Sequence, residues 1–279
     1  MNPNFPGETP PGRGGPGPVL FFDTGVGGLP YLGWLKEQAP EIPLVYFADA
    51  AHFPYGTKTA AEIREILIPL MGRLLGAFKP RLTVLACNTA TLTALEALRQ
   101  SYAAGFVGVV PAIKPAAAGG RRIGILATRR TVDDGYTVEL IRNFARRRRV
   151  FRRGSGELVD FVEKRYLNSG AGERREAVRP AAEFLLDRRV DTVVLACTHF
   201  VFLKEEFQEA LGPKVRVLDS VEGVGRRALS LLEEGGEQNS GEAVLPGGFY
   251  LSGAPAPAAG EVYRSFASRF GLEYRGGLE

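Results

Sequence analysis

Two parts of the chain resemble each other at three points, in the same order and at a nearly constant distance. The offsets are 104, 110 and 108 residues. The matching pairs are VLFFDT, ending at Thr24, with IGILAT, ending at Thr128; VLACNT with VLACTH, whose cysteines are Cys87 and Cys197; and GVVPAIKPA near 111 with RVLDSVEGV near 219. A steady offset across several segments is typical of an internal structural repeat. We therefore expect two similar halves.

The matching segments belong to a set of short apolar runs that predict strands. The runs are continuous rather than alternating, which is typical of parallel strands buried on both faces. They lie at 19–23, 44–49, 82–87, 106–110, 122–128, 191–197 and 214–219. Helical patterns alternate with them, as where apolar residues between Ile63 and Leu74 line one helical face. The sequence predicts an α/β fold of two pseudo-symmetric domains, each a mainly parallel sheet flanked by helices.

Composition narrows the class further. A chain of 279 residues with 45% hydrophobic residues can build two cores of ordinary size. Residues 1–18 hold six prolines and five glycines, which predicts a disordered tail. That segment lacks the apolar stretch of a signal peptide, and the chain shows no membrane-length apolar run, so we expect a cytoplasmic protein with no membrane contact.

Much of the net charge of +4 comes from residues 142–153, which contain seven arginines. Four consecutive arginines would point to all sides of a helix, and cations suit a helix C-terminus. We interpret the run as a solvated helix end. A nucleic-acid patch is the less favoured alternative.

The two cysteines, Cys87 and Cys197, each end a predicted strand and precede hydrogen-bonding residues. Packing is the ordinary role of a free cysteine. A reactive thiol instead needs neighbours that stabilise the thiolate, and His199 could lower the pKa of Cys197. A redox pair is disfavoured because the C-x-x-C spacing is absent, and a zinc site would need both His52 and His199 at unusual spacing. The remaining option is a pair of acid/base groups on opposite faces of one carbon, about 7 Å apart.

Other polar groups are predicted beside the cysteines, at the carboxyl ends of the parallel strands. The carboxyl ends of parallel strands form the usual ligand cleft, and Asp23 and Asp49 end strands there, as the cysteines do. The turn at 23–28, DTGVGG, fits either a plain strand-to-helix connection or a site whose backbone N–H groups receive a carboxylate.

Five motifs resemble, in order, those of cofactor-independent glutamate racemases in the aspartate/glutamate racemase superfamily. They are FFDTGVGG, YFADAAHFPYGTKT, ACNTA, ACTH and GFYLSG, and the resemblance spans residues 19–272. It implies a first domain of residues 19–115 plus 222–279, a second of 116–221, and a site in the cleft between them. It also implies a homodimer and no cofactor or metal.

The resemblance further implies roles for individual residues. Cys87 and Cys197 would transfer protons, and Asp23 and His199 would assist them, with Asp49 and Glu163 as supporters. The implied substrate-binding residues are Asp23, Thr24, Tyr55, Gly56, Asn88, Thr89, Thr198 and His199.

We therefore expect an enzyme that interconverts L- and D-glutamate and supplies D-glutamate for peptidoglycan synthesis. The alternatives are an aspartate or other amino-acid racemase of the same superfamily, or a non-catalytic protein that binds a dicarboxylate or DNA.

Overall fold

The computed structural model describes residues 17–234 and 246–278. The strands are β1 (Val19–Asp23), β2 (Leu44–Ala48), β3 (Leu82–Leu85), β4 (Phe106–Gly108), β5 (Arg122–Ala127), β6 (Arg149–Gly154), β7 (Thr192–Leu195), β8 (Arg216–Leu218), β9 (Gly248–Ser252) and β10 (Tyr274–Leu278). The helices are α1 (Leu29–Gln38), α2 (Ala60–Phe78), α3 (Asn88–Ser101), α4 (Ile113–Gly119), α5 (Arg129–Asp133), α6 (Gly135–Phe144), α7 (Gly156–Lys164), α8 (Ala171–Asp187), α9 (Lys204–Leu211), α10 (Val221–Glu234) and α11 (Pro257–Arg269). Short 3-10 turns cover Ala50–His52, Tyr55–Thr57, Tyr166–Asn168 and Thr198–Leu203.

The strands form two parallel sheets with the same internal order. One sheet contains β2-β1-β3-β4 and the other β6-β5-β7-β8, so the strands of the second half follow the order of the first. The three sequence matches correspond to β1 with β5, β3 with β7, and β4 with β8. The predicted α/β class with two pseudo-symmetric halves is confirmed.

Each sheet is covered on both faces. In β1, Val19 and Phe21 enter one apolar core while Leu20 and Phe22 enter another, because successive side chains of a strand point to opposite faces. This explains why the strand sequences are continuous apolar runs. In the described part of the chain, no helix is both long enough and apolar enough to cross a bilayer.

The C-terminal strands extend the first sheet. β9 pairs with β2, and β10 pairs with β9, both in parallel. The domain bounds drawn from the family resemblance stay a prediction, although Ile113, which they assign to the first domain, packs in the core on the second sheet. Residues 1–16 of the predicted tail lie outside the described residues. Gly17 and Pro18 are buried, and the Pro18 carbonyl accepts a hydrogen bond from the Arg81 N–H at 3.0 Å.

The arginine run does not form a helix end, so that interpretation is wrong. α6 ends at Phe144, a turn carries Arg146 to Arg148, and β6 begins at Arg149. β6 is the edge strand of the second sheet, where one neighbour and solvent tolerate an arginine-rich sequence that a central strand could not bury.

Candidate functional site

The two cysteines occupy corresponding positions in the two sheets. Each follows an alanine after the last residue of its strand, β3 or β7. The alanine N–H donates to the neighbouring central strand at 2.7 Å in both halves, to the carbonyl of Phe22 in one and of Leu126 in the other. Cys87 and Cys197 are free thiols with 7% and 5% of their surfaces exposed. The same backbone hydrogen bond therefore fixes the position of each buried thiol at the end of its strand.

Both thiols line one narrow cavity between the halves. Nine of the predicted site residues line it: Thr24, Tyr55, Gly56, Cys87, Asn88, Thr89, Cys197, Thr198 and His199. The volume open to the centre of a water-sized sphere is about 20 Å³, which is room for about one water molecule. An amino acid such as glutamate is larger than this space, so its entry requires the cavity walls to move.

Cys87 lies at the start of α3, where it is the N-cap residue. Its Sγ accepts a hydrogen bond from the Ala90 N–H at 3.5 Å. Burial raises the pKa of this thiol well above its ordinary value, with the nearby charge of Asp23 adding to the effect and the helix N–H groups opposing it. The environment therefore keeps Cys87 protonated at neutral pH, in contrast to the lowered pKa expected of a reactive thiol.

Cys197 has a different neighbour. Its Sγ lies 4.0 Å from Nδ1 of His199, and the opposite nitrogen, Nε2, lies 2.6 Å from Oε1 of Glu163. Burial by itself would lower the pKa of His199, but the contacts with Cys197 and Glu163 outweigh it and raise that pKa well above its usual value. The imidazole is therefore held as a cation beside the second thiol.

Asp23 lies between the two thiol environments. It is fully buried, accepts the Thr24 N–H at 2.5 Å, and accepts the hydroxyl of Thr198 at 3.0 Å across the interface between the halves. Burial raises the pKa of Asp23 to about 6, although the positive charge of His199 opposes the shift. A carboxyl group that titrates near neutrality can exchange protons during turnover.

The glycine turn serves the protein's own groups rather than an external carboxylate. The Val26 N–H donates to Glu163 at 2.7 Å, and the Gly28 N–H donates to the hydroxyl of Tyr46 at 3.0 Å. A Cβ on Gly25 would lie 1.9 Å from Oε1 of Glu163. Glycine is needed here because the turn touches the partner of His199 directly.

Asp49 lies behind the cavity wall. Its carboxylate accepts hydrogen bonds from the hydroxyls of Tyr55 and Ser252, both at 2.6 Å, and lies 2.8 Å from Nδ1 of His52. It contacts Tyr55, which lines the cavity, and not a thiol. The contacts of Asp49 therefore favour a role in positioning Tyr55 over direct support of either cysteine.

Sequence reasoning missed five cavity residues, of which Pro54, Val159 and Ala196 are apolar and Thr128 and Thr131 carry hydroxyls. The hydroxyl-bearing pair matters most for a polar ligand. Their hydroxyls form a triangle with that of Thr89, with oxygen separations of 3.1 to 3.3 Å, and so join the halves across the cavity. The internal repeat contained the signal for one of them, because Thr128 ends its matching segment as Thr24 does. Nothing in the local sequence marks Thr131.

Asn88 supplies a polar group that has no hydrogen-bond partner among the described residues. Its side chain is 3% exposed, lines the cavity, and has neither its amide nitrogen nor its oxygen hydrogen-bonded. Buried amides nearly always have partners, so this one is available to a polar ligand. Among the residues that the structure describes, no group of three or more His, Cys, Asp or Glu side chains is arranged to hold a metal ion.

Comparison with known proteins fits this geometry. Residues 33–224 match the model of the Asp/Glu/Hydantoin racemase family. The chain belongs to that family. The racemase family member is 37% identical over 261 residues to the glutamate racemase of Treponema pallidum strain Nichols, covering 93% of this chain and 96% of the relative. It is 40% identical to the glutamate racemase of Aliivibrio fischeri strain ES114, covering 85% and 88% of the two chains.

This racemase family member also resembles a glutamate racemase of known structure. Escherichia coli glutamate racemase, in complex with L-glutamate and the activator UDP-MurNAc-Ala, is 35% identical, with a TM-score of 0.83 and coverage of 94% of this chain and 98% of that chain. The predicted enzyme class, an amino-acid racemase, is confirmed by these relatives.

Proposed function

We propose that the enzyme interconverts L- and D-glutamate by proton transfer between two cysteines, without a cofactor, and supplies D-glutamate for peptidoglycan synthesis. The observation that carries the proposal is the shared cavity of Cys87 and Cys197, each at the end of the corresponding strand of its sheet. The relatives at 37% to 40% identity, named glutamate racemases, support the choice of substrate.

The chemistry follows from the weak acidity of an amino acid's α-carbon. In the L-to-D direction the thiolate of Cys197 takes the α-proton, and the electron pair of that C–H bond stays on the carbon and its carboxylate. The thiol of Cys87 then gives its proton to the opposite face. The D isomer leaves behind a Cys197 thiol and a Cys87 thiolate. Before the next L isomer reacts, Cys197 gives a proton to water and Cys87 takes one from water, which restores the starting state.

The surroundings of the two thiols support this assignment. The raised pKa of Cys87 keeps a proton available for donation, while the cationic imidazole of His199 lies 4.0 Å from Sγ of Cys197. The free amide of Asn88 and the hydroxyls of Thr89 and Thr128 supply neutral donors for the substrate's carboxylates. Such preorganised donors stabilise the charge that develops in the transition state.

The test uses each isomer in deuterated buffer, with circular dichroism for inversion and mass spectrometry for exchange of the α-proton. Wild-type enzyme should racemise glutamate far faster than aspartate without added cofactor. The Cys87→Ser variant should lose inversion yet still exchange the α-proton of L-glutamate, because Cys197 can remove and return it. The Cys197→Ser variant should show the same pattern with D-glutamate. Racemisation by either variant at the wild-type rate contradicts the two-thiol mechanism.

A further inference from the structure

The amino ends of the second sheet's strands form a concentrated basic surface that racemisation does not use. Three of its four parallel strands begin with arginine, and two of these residues, Arg122 and Arg149, are register partners on β5 and β6. The basic edge, as we name it, consists of Arg121, Arg122, Arg146, Arg147, Arg148, Arg149, Arg188, Arg189 and Arg216. These residues come from four separate parts of the sequence, and only the parallel topology brings them together.

Part of this edge holds the fold together. Arg122 donates to the carbonyl of Arg188 at the end of α8, at 2.7 Å. Arg148 donates to the carbonyl of Ala117 at 3.2 Å, and Arg216 donates to the hydroxyl of Thr192 at 3.1 Å. These arginines have a structural reason to be present.

Arg188 donates to the carbonyl of Phe184 at 3.0 Å and so has a structural contact as well. The remaining five members of the edge have no such contact in the described part of the chain. The exposed side chains of Arg121, Arg146, Arg147, Arg149 and Arg189 make no hydrogen bond or ion pair within residues 17–234 and 246–278. The acids closest in sequence are Asp187 and Asp191, and the Asp191 carboxylate is occupied by the N–H groups of Arg121 and Arg122 at 2.9 to 3.1 Å. Crowding of like charge disfavours the compact state, and a bound anion would relieve the repulsion among these arginines.

We propose that the basic edge binds the phosphate backbone of double-stranded DNA, without reading its sequence. Guanidinium groups pair with phosphates in a bidentate geometry, and the edge uses arginine throughout. Four strands at a spacing of about 4.8 Å make it about 14 Å wide, a span that faces several phosphates of a duplex. A strand edge and a turn offer no helix for the major groove, so the contact is electrostatic.

The position of the edge separates this activity from racemisation. The cysteines lie beyond the carboxyl ends of the strands, about 20 Å from the amino ends at a rise of about 3.3 Å per residue. DNA bound at the edge leaves the cavity unobstructed. The only large hydrophobic side chains exposed in the described part of the chain are Val138 and Leu186, which are too few to insert into a lipid surface.

The test is the fluorescence anisotropy of a short labelled DNA duplex titrated with the full chain at about 50 to 200 mM salt. With four or five phosphates neutralised, the slope of log K against log salt should be about −4. The variant with Arg146, Arg147 and Arg149 all changed to Ala should bind on the order of 10²-fold more weakly and reduce the magnitude of the slope by about 3. Racemisation by this variant should equal that of wild type.

A matched control removes the same charge elsewhere. Arg179, Arg226 and Arg264 are exposed and ion-paired to nearby glutamates, so changing these three to Ala should leave DNA affinity within about twofold of wild type. If the first triple variant loses its native circular-dichroism spectrum, the single exposed change Arg147→Glu replaces it and should weaken binding on the order of tenfold. Equal loss in both triple variants, no duplex binding by wild type at low salt, or equal affinity for polyglutamate or anionic vesicles would overturn the proposal. Racemisation is measured separately, so either proposal can fail alone.

Discussion

Replacement of Gly25 by Ala tests whether the enzyme depends on the position of Glu163. The added Cβ would lie 1.9 Å from Oε1 and 2.6 Å from Cδ of Glu163, whereas ordinary contact begins at 3.4 Å. The carboxylate must therefore retreat by about 1.5 Å, the difference between the first and last of these distances. That movement breaks its 2.6 Å contact with His199 and its 2.7 Å hydrogen bond from Val26.

The loss of activity can be estimated from this displacement. A misplacement of about 1 Å in an active site costs on the order of 10²-fold in rate, so we expect kcat/KM to fall by about that factor. Because the two enantiomers have equal free energy, kcat/KM must fall equally in both directions, and circular dichroism measured from each isomer checks this. Gly76→Ala is the control, since its Cβ would have no neighbour within 4 Å. It should keep wild-type activity.

A second substitution shows whether Gly25→Ala acts by displacing the Glu163 carboxylate or by disrupting the fold in general. Glu163→Asp shortens the side chain by one bond of about 1.5 Å, which matches the space that the alanine methyl takes. The double variant of Gly25→Ala with Glu163→Asp should therefore recover part of the activity that the alanine removes, a coupling that a double-mutant cycle measures. A folded Gly25→Ala variant within twofold of wild type, or a strictly additive double variant, refutes the reasoning.

Three further predictions concern other polar groups of the site. Asn88→Ala should raise KM by about 10- to 100-fold, the value of one or two buried hydrogen bonds. It should not lower Tm, because the amide has no hydrogen-bond partner within residues 17–234 and 246–278 to lose. An unchanged KM contradicts this. Burial raises the pKa of Asp23 from 3.8 to about 6. The stability this gives is complete well below pH 3.8 and is lost as pH rises through about 6. Between about pH 4 and pH 7, wild type should therefore lose about 2 kcal/mol of unfolding free energy relative to Asp23→Asn. If urea unfolding shows the same pH dependence of the unfolding free energy for wild type and Asp23→Asn, the prediction is contradicted. Tyr55→Phe should cost about 1 to 3 kcal/mol of unfolding free energy, because it removes a 2.6 Å donor from buried Asp49, and urea titration at neutral pH measures it.

Most of the strands that could be predicted are central strands with continuous apolar sequences, although the edge strands β4 and β8 were predicted too and the buried β9 was not. All seven apolar runs form strands, and β1 has the predicted bounds of Val19 and Asp23. The three missed strands, β6, β9 and β10, lie outside these continuous apolar runs. β6 and β10 are edge strands, whose solvent exposure weakens the apolar signal, and their arginines and glycines hide it further.

The site residues at the ends of strands could be predicted, but the contacts between the two halves could not. Both thiols and the residues after them follow from the rule that parallel strands present ligands at their carboxyl ends. The contact between Val26 and Glu163 joins residues 137 positions apart, and it depends on how the two halves meet. No local sequence pattern predicts how the two halves pack together. The roles of the glycine turn and of Thr131, which depend on that packing, were missed for the same reason.

The return of β9 and β10 to the first sheet has a consequence for synthesis of the chain. A ribosome releases residues 19–108, which supply β1 to β4, and then the whole second sheet before the strands beside β2 exist. The second half can therefore finish folding as an insertion while the first still has an open edge. A nascent chain that lacks residues 248–278 already contains both thiols. The sheet that carries Cys87, however, then has only four of its six strands.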